Sequence, residues 1–235
     1  MISGSLHDAS WLVTDRTVGA SRGAFAFGNL AVHVGDDPAA VAANRAALAD
    51  RLGVPAVVFT RAAHSRHVAV VERVVPDIAD CDALITDRPG LAIAAQGADC
   101  AMIGIATTDG WIAAIHCGWQ GLVGGVVPAT LQALVTAGSD LTGARAHIGP
   151  AICADCYPVD AARAQQVTGS VPEAVVSAPG GPAVDVRAGV VEQLREYAIE
   201  ASNDPRCTAE SPELYSYRRD GVTGRQALAI VRRAA

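Results

Sequence analysis

No window of this chain approaches the roughly 20 apolar residues that a membrane span requires, although 51% of its residues are apolar. No run of basic residues is long enough to track a phosphate backbone, the net charge is −6, and aromatics make up only 4% of the chain. Duplex nucleic acid is therefore not an expected partner. Met1–Val13 lacks a basic segment followed by an apolar core, so no secretion signal is expected. Cysteine is present but not dense: Cys81, Cys100, Cys117, Cys153, Cys156 and Cys207 are spread through 235 residues. Small secreted disulfide scaffolds look different. These absences leave a cytoplasmic protein with reduced thiols, long enough for one domain with a substantial core. No repeat or low-complexity linker divides the chain.

What the sequence does contain is a regular alternation of apolar runs and turn signals. Asp37 suits a helix N-cap, Pro38 the first turn and Gly53 the C-terminal stop, which predicts a helix over Pro38–Leu52. Short apolar runs at Ala56–Thr60, Val68–Val75 (ended by Pro76), Ala83–Thr86 and Leu91–Ala95 read as strands. A Gly-rich piece after His116 leads into an apolar segment ending near Ala137, with a helix that either begins or kinks at Pro128. Arg145–Ile148 reads as a strand, Asp160–Val167 as a short helix and Val171–Pro182 as an exposed loop. The apolar period over Val186–Ala201 predicts a helix. Tyr217–Gly224 is turn-rich, and Ala227–Val231 closes the chain as an apolar segment. Strands and helices mix irregularly, which favours an α/β or α+β domain with a mixed sheet flanked by helices over a regular doubly wound fold.

The richest stretch runs from Gly97 to Gly121. Two apolar runs, Ala101–Ala106 and Trp111–Ile115, flank Thr107–Gly110, the pattern of a hairpin with Asp-Gly supplying positive backbone angles. Cys100 stands at the entrance of the first strand and His116 at the exit of the second, so a thiol and an imidazole should meet at one rim of a sheet. Such a pair suits a metal or nucleophilic chemistry. His64, after Ala56–Thr60, is the best third donor, because strand ends gather at one sheet edge. Three protein ligands with an open position mark a catalytic zinc. On spacing alone each of the three also suits an ordinary core position.

Other candidates are weaker. His67, three residues after His64, should face away from it on a strand. His33 precedes a Gly-Asp-Asp turn and either lines a pocket or serves the turn. His7 and His147 belong to no constellation. Cys153-x-x-Cys156 lacks the second pair of a zinc knuckle, with only Cys207 beyond it, and is flanked by prolines rather than by a redox-type βαβ unit; the pair reads as structural. Cys117 should point into the core. Tyr217-Arg218-Arg219-Asp220-Gly221 is a basic turn whose guanidiniums suit either an anion or an internal ion pair.

Several motifs together resemble the YfiH-type family: Asn29-Leu30 with His33-Val34-Gly35-Asp36-Asp37, Gly97-Ala98-Asp99-Cys100, His116-Cys117-Gly118-Trp119-Gln120-Gly121, Ile148-Gly149-Pro150-Ala151-Ile152 with Cys156-Tyr157, and the run from Ser216 to Arg225. They occur in the family's order and cover nearly the whole chain. The resemblance implies a single α/β domain over residues 1–235, similar to toxin deamidases that use a Cys–His pair. Such proteins were first labelled multicopper polyphenol oxidases, or laccases. They are now described as zinc-dependent purine nucleoside phosphorylases that also deaminate adenosine and cleave methylthioadenosine. The family's metal trio falls on His64, Cys100 and His116. Departures stand at Ala62 and Ser65 around His64, at Gly97, at Val18 in the early Thr14–Ser21 pattern, and at Gln120, where the family carries Arg. Gln120 can hydrogen-bond a substrate but brings no charge.

The resemblance thus implies a zinc ion, with copper as the alternative metal, and a purine nucleoside and phosphate as small-molecule partners, in a chain for which a homodimer is open. Asp99 is the candidate for proton transfer or for orienting the metal ligand. Arg16, Arg218 and Arg219 are candidates for phosphate, Trp119 for stacking on a base, and His33 and Gln120 for further substrate contacts. Three other readings remain. One is a metal-free cysteine hydrolase with Cys100 as nucleophile and His116 as base. Another is a copper oxidase, for which six histidines and only Met1 and Met102 are a poor endowment. The last is a binding protein that kept the pocket without turnover.

Overall fold

The two apolar runs around Thr107–Gly110 pair as an antiparallel hairpin, with Met102 opposite His116 and Ala101 opposite Cys117. The rest of the fold is laid around that hairpin. A computed structural model describes residues 1–75 and 77–233. In chain order its elements are β1 (Ile2–Leu6), β2 (Ala9–Val13), α1 (Pro38–Leu52), β3 (Val57–Arg61), β4 (Val68–Val70), β5 (Ile78–Ala79), β6 (Ala83–Thr86), β7 (Ala92–Gly97), β8 (Ala101–Ala106) and β9 (Ile112–Cys117). Then follow α2 (Trp119–Gly124), α3 (Val126–Thr136), β10 (Arg145–Ile148), α4 (Ala161–Thr168), β11 (Val175–Ala178), β12 (Gly181–Val184), α5 (Val186–Arg195), β13 (Glu200–Asn203), α6 (Tyr217–Asp220) and β14 (Gln226–Arg232).

Among the described residues, β11 and β12 form a separate pair, and the other twelve strands form two six-stranded sheets, ordered β1-β2-β14-β7-β3-β5 and β13-β10-β8-β9-β6-β4. Each is antiparallel through its middle and parallel toward an edge: β3 runs parallel to β7 and β5, β13 to β10, and β4 to β6. The expected single mixed sheet is therefore two mixed sheets packed face to face. Every residue of β7, β8 and β9 is buried. Such strands carry unbroken apolar runs instead of an in–out alternation, so their sequence does not reveal which sheet they join. Val13, Ile93, Met102, Ile112, Leu228 and Ile230 fill the space between the sheets. The sheets approach so closely at Gly104 that a Cβ there would lie 2.9 Å from Leu228 Cδ2. α1 covers the outer face of the first sheet through Leu48, against Phe59. α2, α3 and α5 cover the second with Leu122, Leu131, Val190 and Leu194.

α1 has the predicted bounds: Asp37 accepts from Ala39 N at its start, and Gly53 ends it at φ 69°. Pro128 falls in the first turn of α3, where its missing N–H costs no helical bond. A break at Gly125 (φ 74°) separates α2 from α3. Three expectations change. Val171–Pro182 is not a plain loop, because β11 and β12 pair antiparallel there. The helix predicted over Val186–Ala201 ends at Arg195; Ala198 takes φ 56°, and the chain turns into β13. The apolar period runs on because Ile199 is still buried, but as the lead-in to a strand. Val68–Val75 keeps a strand only over Val68–Val70, and Pro76, assigned to end that run, lies outside the described residues.

Candidate active site and metal centre

Hairpin register decides the first contact: Cys100 precedes β8 directly and His116 lies at the end of β9, so both face one rim. The loop after β3 brings His64 to the same point. Ligand atoms of His64, Cys100 and His116 all lie within 4.8 Å of one another. The two imidazoles stand edge to face, with centroids 5.0 Å apart and planes at 73°.

One carboxylate organises two of these three donors. Asp82, fully buried at the head of β6, accepts from the backbone N–H of Ala63 (3.2 Å), His64 (3.1 Å) and Ser65 (2.8 Å), and from Ser65 Oγ (2.8 Å). It also accepts from His116 Nδ1 at 2.9 Å. Burial by itself would raise the Asp82 pKa, but the hydrogen bonds from His116 and Ser65 outweigh it and hold the carboxyl well below the usual range. An ionised Asp82 can only accept, so His116 carries a proton on Nδ1 and turns Nε2 toward Cys100. The histidine loop is thus folded around Asp82, and His64 sits at φ 56° rather than on a strand. That corrects the strand argument used for His67, whose Nδ1 instead meets Asp80 O at 3.2 Å at the surface. Sequence reasoning missed Asp82; the available signal was an acidic residue directly before a short strand whose first three residues are apolar.

The donors fit a divalent ion. Gly118 faces them, and a Cβ there would lie 2.9 Å from Cys100 Sγ and 3.0 Å from His64 Nδ1. The chain leaves open the space an ion between those atoms would need. Burial, then the neighbouring His116, lower the His64 pKa and favour the neutral, ligating imidazole. His116 behaves oppositely. Burial pulls its pKa down, but the Cys100 sulfur and Asp82 outweigh it and push it up to about 9. A bound cation would have to displace that proton, so metal uptake here releases acid.

A cavity of about 600 Å³ opens over the cluster. Of the sequence candidates, His33, His64, Asp99, Cys100, His116, Trp119, Gln120 and Arg218 line it. Arg16 and Arg219 do not. Arg16 donates to Ala26 O and pairs with Asp220 at 3.1 Å. Arg219 also pairs with Asp220, and its Nη atoms donate to the carbonyls of Thr208, Ser211 and Leu214. The wall holds two arginines that sequence reasoning did not single out, Arg163 and Arg225. The chain has no lysine, so arginine supplies every long-chain cation. Among the described residues, Arg163, Arg218 and Arg225 pair with no carboxylate, unlike Arg16 and Arg219. Arg163 lies over the Trp119 ring and Arg218 over Tyr157, each 4.9 Å from the centroid. Trp119 therefore meets a guanidinium across one face. Arg225 is mostly buried, and burial lowers its pKa against the opposing pull of Cys100 and Asp99. Arg225 Nη1 donates to the carbonyls of Thr223 and Gly224, but forked donors without a carboxylate partner, gathered in a cavity, suit an oxyanion such as phosphate.

Asp99, at φ 104°, accepts from Thr208 Oγ1 at 2.6 Å and from Arg218 N at 2.7 Å. It ties the basic turn to the residue before Cys100. The basic turn forms α6, with Ser216 accepting from Arg219 N at its start. Cys117 points to the helix-side core, where burial raises its pKa. Met102, the internal methionine, is fully buried between the sheets.

Fold and site together define a class: a mixed α/β sandwich with one cysteine and two histidines converging at a sheet rim beneath a cationic cavity. The chain belongs to the family whose model is described as multi-copper polyphenol oxidoreductase laccase, which matches residues 10–233. A Streptomyces griseus protein named purine nucleoside phosphorylase is 42% identical over 234 residues, covering 96% of this chain and 94% of the relative. A solved Neisseria meningitidis structure titled as family DUF152 superposes with a TM-score of 0.85 at 32% identity, covering 97% of this chain and 95% of the other. A Bacillus licheniformis hypothetical protein titled YfiH gives a TM-score of 0.84 at 26% identity, covering 95% and 92%. No helix of the described residues is long and apolar enough to cross a membrane.

Proposed function

We propose that this chain is a zinc-dependent purine nucleoside phosphorylase that also deaminates adenosine at the same centre, with methylthioadenosine among its substrates. The observation that carries this reading is one cavity holding both a His64–Cys100–His116 donor set and three arginines without carboxylate partners. Relatives named purine nucleoside phosphorylase support the substrate class. Zinc fits one thiolate and two imidazoles with a fourth position open; copper fits less well, because Met102 is buried between the sheets instead of lining the cavity. An ion held there supplies Lewis acidity toward the purine or a water molecule.

The chain's own residues do the rest. Arg163, Arg218 and Arg225 bind phosphate and lower the repulsion it meets on approaching the ribose carbon. A phosphate oxygen forms a bond to that carbon as the glycosidic bond breaks, and the bond's electron pair passes to the purine, which takes up a proton from water and leaves as free base. Asp82 holds His116 in the tautomer that presents Nε2. Asp99 is a positioning residue, since both its oxygens are engaged by Thr208 and Arg218. His33 and Gln120 offer uncharged polar contacts to the nucleoside; a cavity of three arginines supplies the charge that Gln120 lacks.

A second reading has a specific observation behind it. Asp82 is hydrogen-bonded to His116, whose ring has a nitrogen within 4.8 Å of the Cys100 sulfur, so carboxylate, imidazole and thiol stand in the order of a cysteine hydrolase. Elemental analysis of the purified protein, combined with turnover of adenosine and inosine with and without phosphate, separates the two. The phosphorylase reading expects stoichiometric zinc, phosphate-dependent release of free base and protection of Cys100 from iodoacetamide. A metal-free, iodoacetamide-sensitive enzyme indifferent to phosphate would establish the hydrolase instead. A chain that turns over neither nucleoside would leave a binding protein.

A further inference from the structure

The fold supplies what the sequence withholds from Cys153-x-x-Cys156. A parallel bridge between Ala151 and Cys207 lays the loop after β13 against the segment after β10. Donor atoms of Cys153, Cys156, Cys207 and Glu210 then lie within 4.8 Å of one another. In a tetrahedral thiolate site with Zn–S near 2.3 Å, the sulfurs stand about 3.8 Å apart, so one ion fits between these donors.

Independent of that spacing is how the Cys207 sulfur is surrounded. Cys153 N donates to it at 3.2 Å, while Glu210 N donates to the Cys207 carbonyl at 3.2 Å and so folds the 207–210 loop back over the sulfur's residue. A neutral thiol is a weak acceptor that gains little from a buried N–H donor. A thiolate gains much more, and N–H···S contacts of this kind tune thiolate ligands in metal sites. Cys207 is buried, Cys153 and Cys156 are half-buried, and Glu210 is at the surface. Three sulfurs thus close the inner side of the site and one carboxylate its outer side.

We infer that Cys153, Cys156, Cys207 and Glu210 form a second metal site, separate from the cavity cluster, that takes one zinc-class divalent ion in a closed structural role. An ion there would fasten the 153–156 turn to the 207–210 loop. That loop reaches the cavity through Thr208, which donates to Asp99 beside Cys100. It is also clamped by Arg219 through the carbonyls of Thr208 and Ser211. The second ion would therefore brace Asp99 and the Arg218 turn without touching substrate. This inference goes beyond the proposed activity and survives its failure, because it rests on other residues.

The test is metal content of the full chain, purified under reducing conditions without chelator. Wild-type protein should hold two zinc ions and Cys100→Ser one. Cys100→Ser combined with Cys156→Ser should hold none, while circular dichroism confirms the fold. Cys156 is half-buried, so its variant keeps the test usable if Cys207→Ser fails to fold. Cobalt substitution adds a spectroscopic readout: Cys100→Ser should keep a strong thiolate-to-cobalt charge-transfer band that the double variant loses. A single ion per wild-type chain that vanishes in Cys100→Ser would overturn the inference, as would a Cys153–Cys156 disulfide in the freshly isolated protein. So would a second ion that persists when Cys156 and Cys207 are both replaced.

Discussion

Two buried histidines on one sheet meet opposite fates. His116 on β9 and His147 on β10 are 4% and 5% exposed, and only β8 separates their strands. At His116 the chain places an ionised Asp82 against Nδ1 and a sulfur near Nε2, and the pKa rises to about 9. At His147 the ring stacks on Trp11 with centroids 3.6 Å apart and planes at 11°, Nδ1 meets Ser202 Oγ at 2.8 Å, and Nε2 has no hydrogen-bond partner among the described residues. There burial dominates, only partly opposed by Asp204, and the pKa falls to about 4. Equal burial therefore says little about role. What separates a site histidine from a packing histidine is the charge the fold delivers to its ring.

The sharpest way to break that contrast is to remove the sulfur. Cys100→Ala should abolish the cavity metal and lower kcat/KM for nucleoside phosphorolysis by more than about 100-fold, above the range typical of outer-shell partners. Metal analysis beside steady-state kinetics checks it. Full activity in this variant would mean that the cysteine is no ligand, and the family likeness would then have misassigned the centre.

Removing the charge behind His116 should cost less. Asp82→Asn retains the shape but loses the carboxylate that fixes the tautomer and gathers the N–H groups of Ala63, His64 and Ser65. A 10- to 100-fold loss of zinc affinity or activity is expected, read by competition with a chromophoric chelator. Smaller again is the effect of Arg225→Gln. Loss of one charged hydrogen-bonding group should raise KM for phosphate by about 10-fold while leaving adenosine deamination near the parent rate. An equal loss in both reactions would move Arg225 from phosphate binding to general structure.

Much of the cavity floor was legible in the sequence. Asp109-Gly110 sets the hairpin, the hairpin sets the register, and the register places Cys100 beside His116. α1 was legible because Asp37, Pro38 and Gly53 mark its ends with local chemistry. Illegible features are those that local chemistry does not encode. β7, β8 and β9 are buried on both faces, so nothing in their composition tells that they divide between two sheets. β1 is short and mostly exposed, with little apolar signal. Asp82 is an ordinary acidic residue until five donors from two separate segments converge on it. Arg16 and Arg219 look as suited to phosphate as Arg225 does. Only the partners differ: Asp220 holds the first two, while Arg225 reaches the cavity without a carboxylate.

The smallest expected effect lies at the other histidine. Because His147 stays neutral in the fold while an unfolded histidine titrates near 6.5, the unfolded chain binds the extra proton first as pH falls. The stabilisation is complete above about pH 6.5 and is lost as pH drops toward the folded value near 4. At pH 5 the loss from this one ring should be about 2 kcal/mol. Urea unfolding of wild type and His147→Phe at matched metal content, at pH 7.5 and pH 5, measures it. Phenylalanine keeps a flat ring against Trp11 but cannot take a proton, so the variant should lose less stability between the two pH values. Equal losses would mean that the His147 ring accepts its proton inside the fold, and that the contrast with His116 is one of position and not of charge.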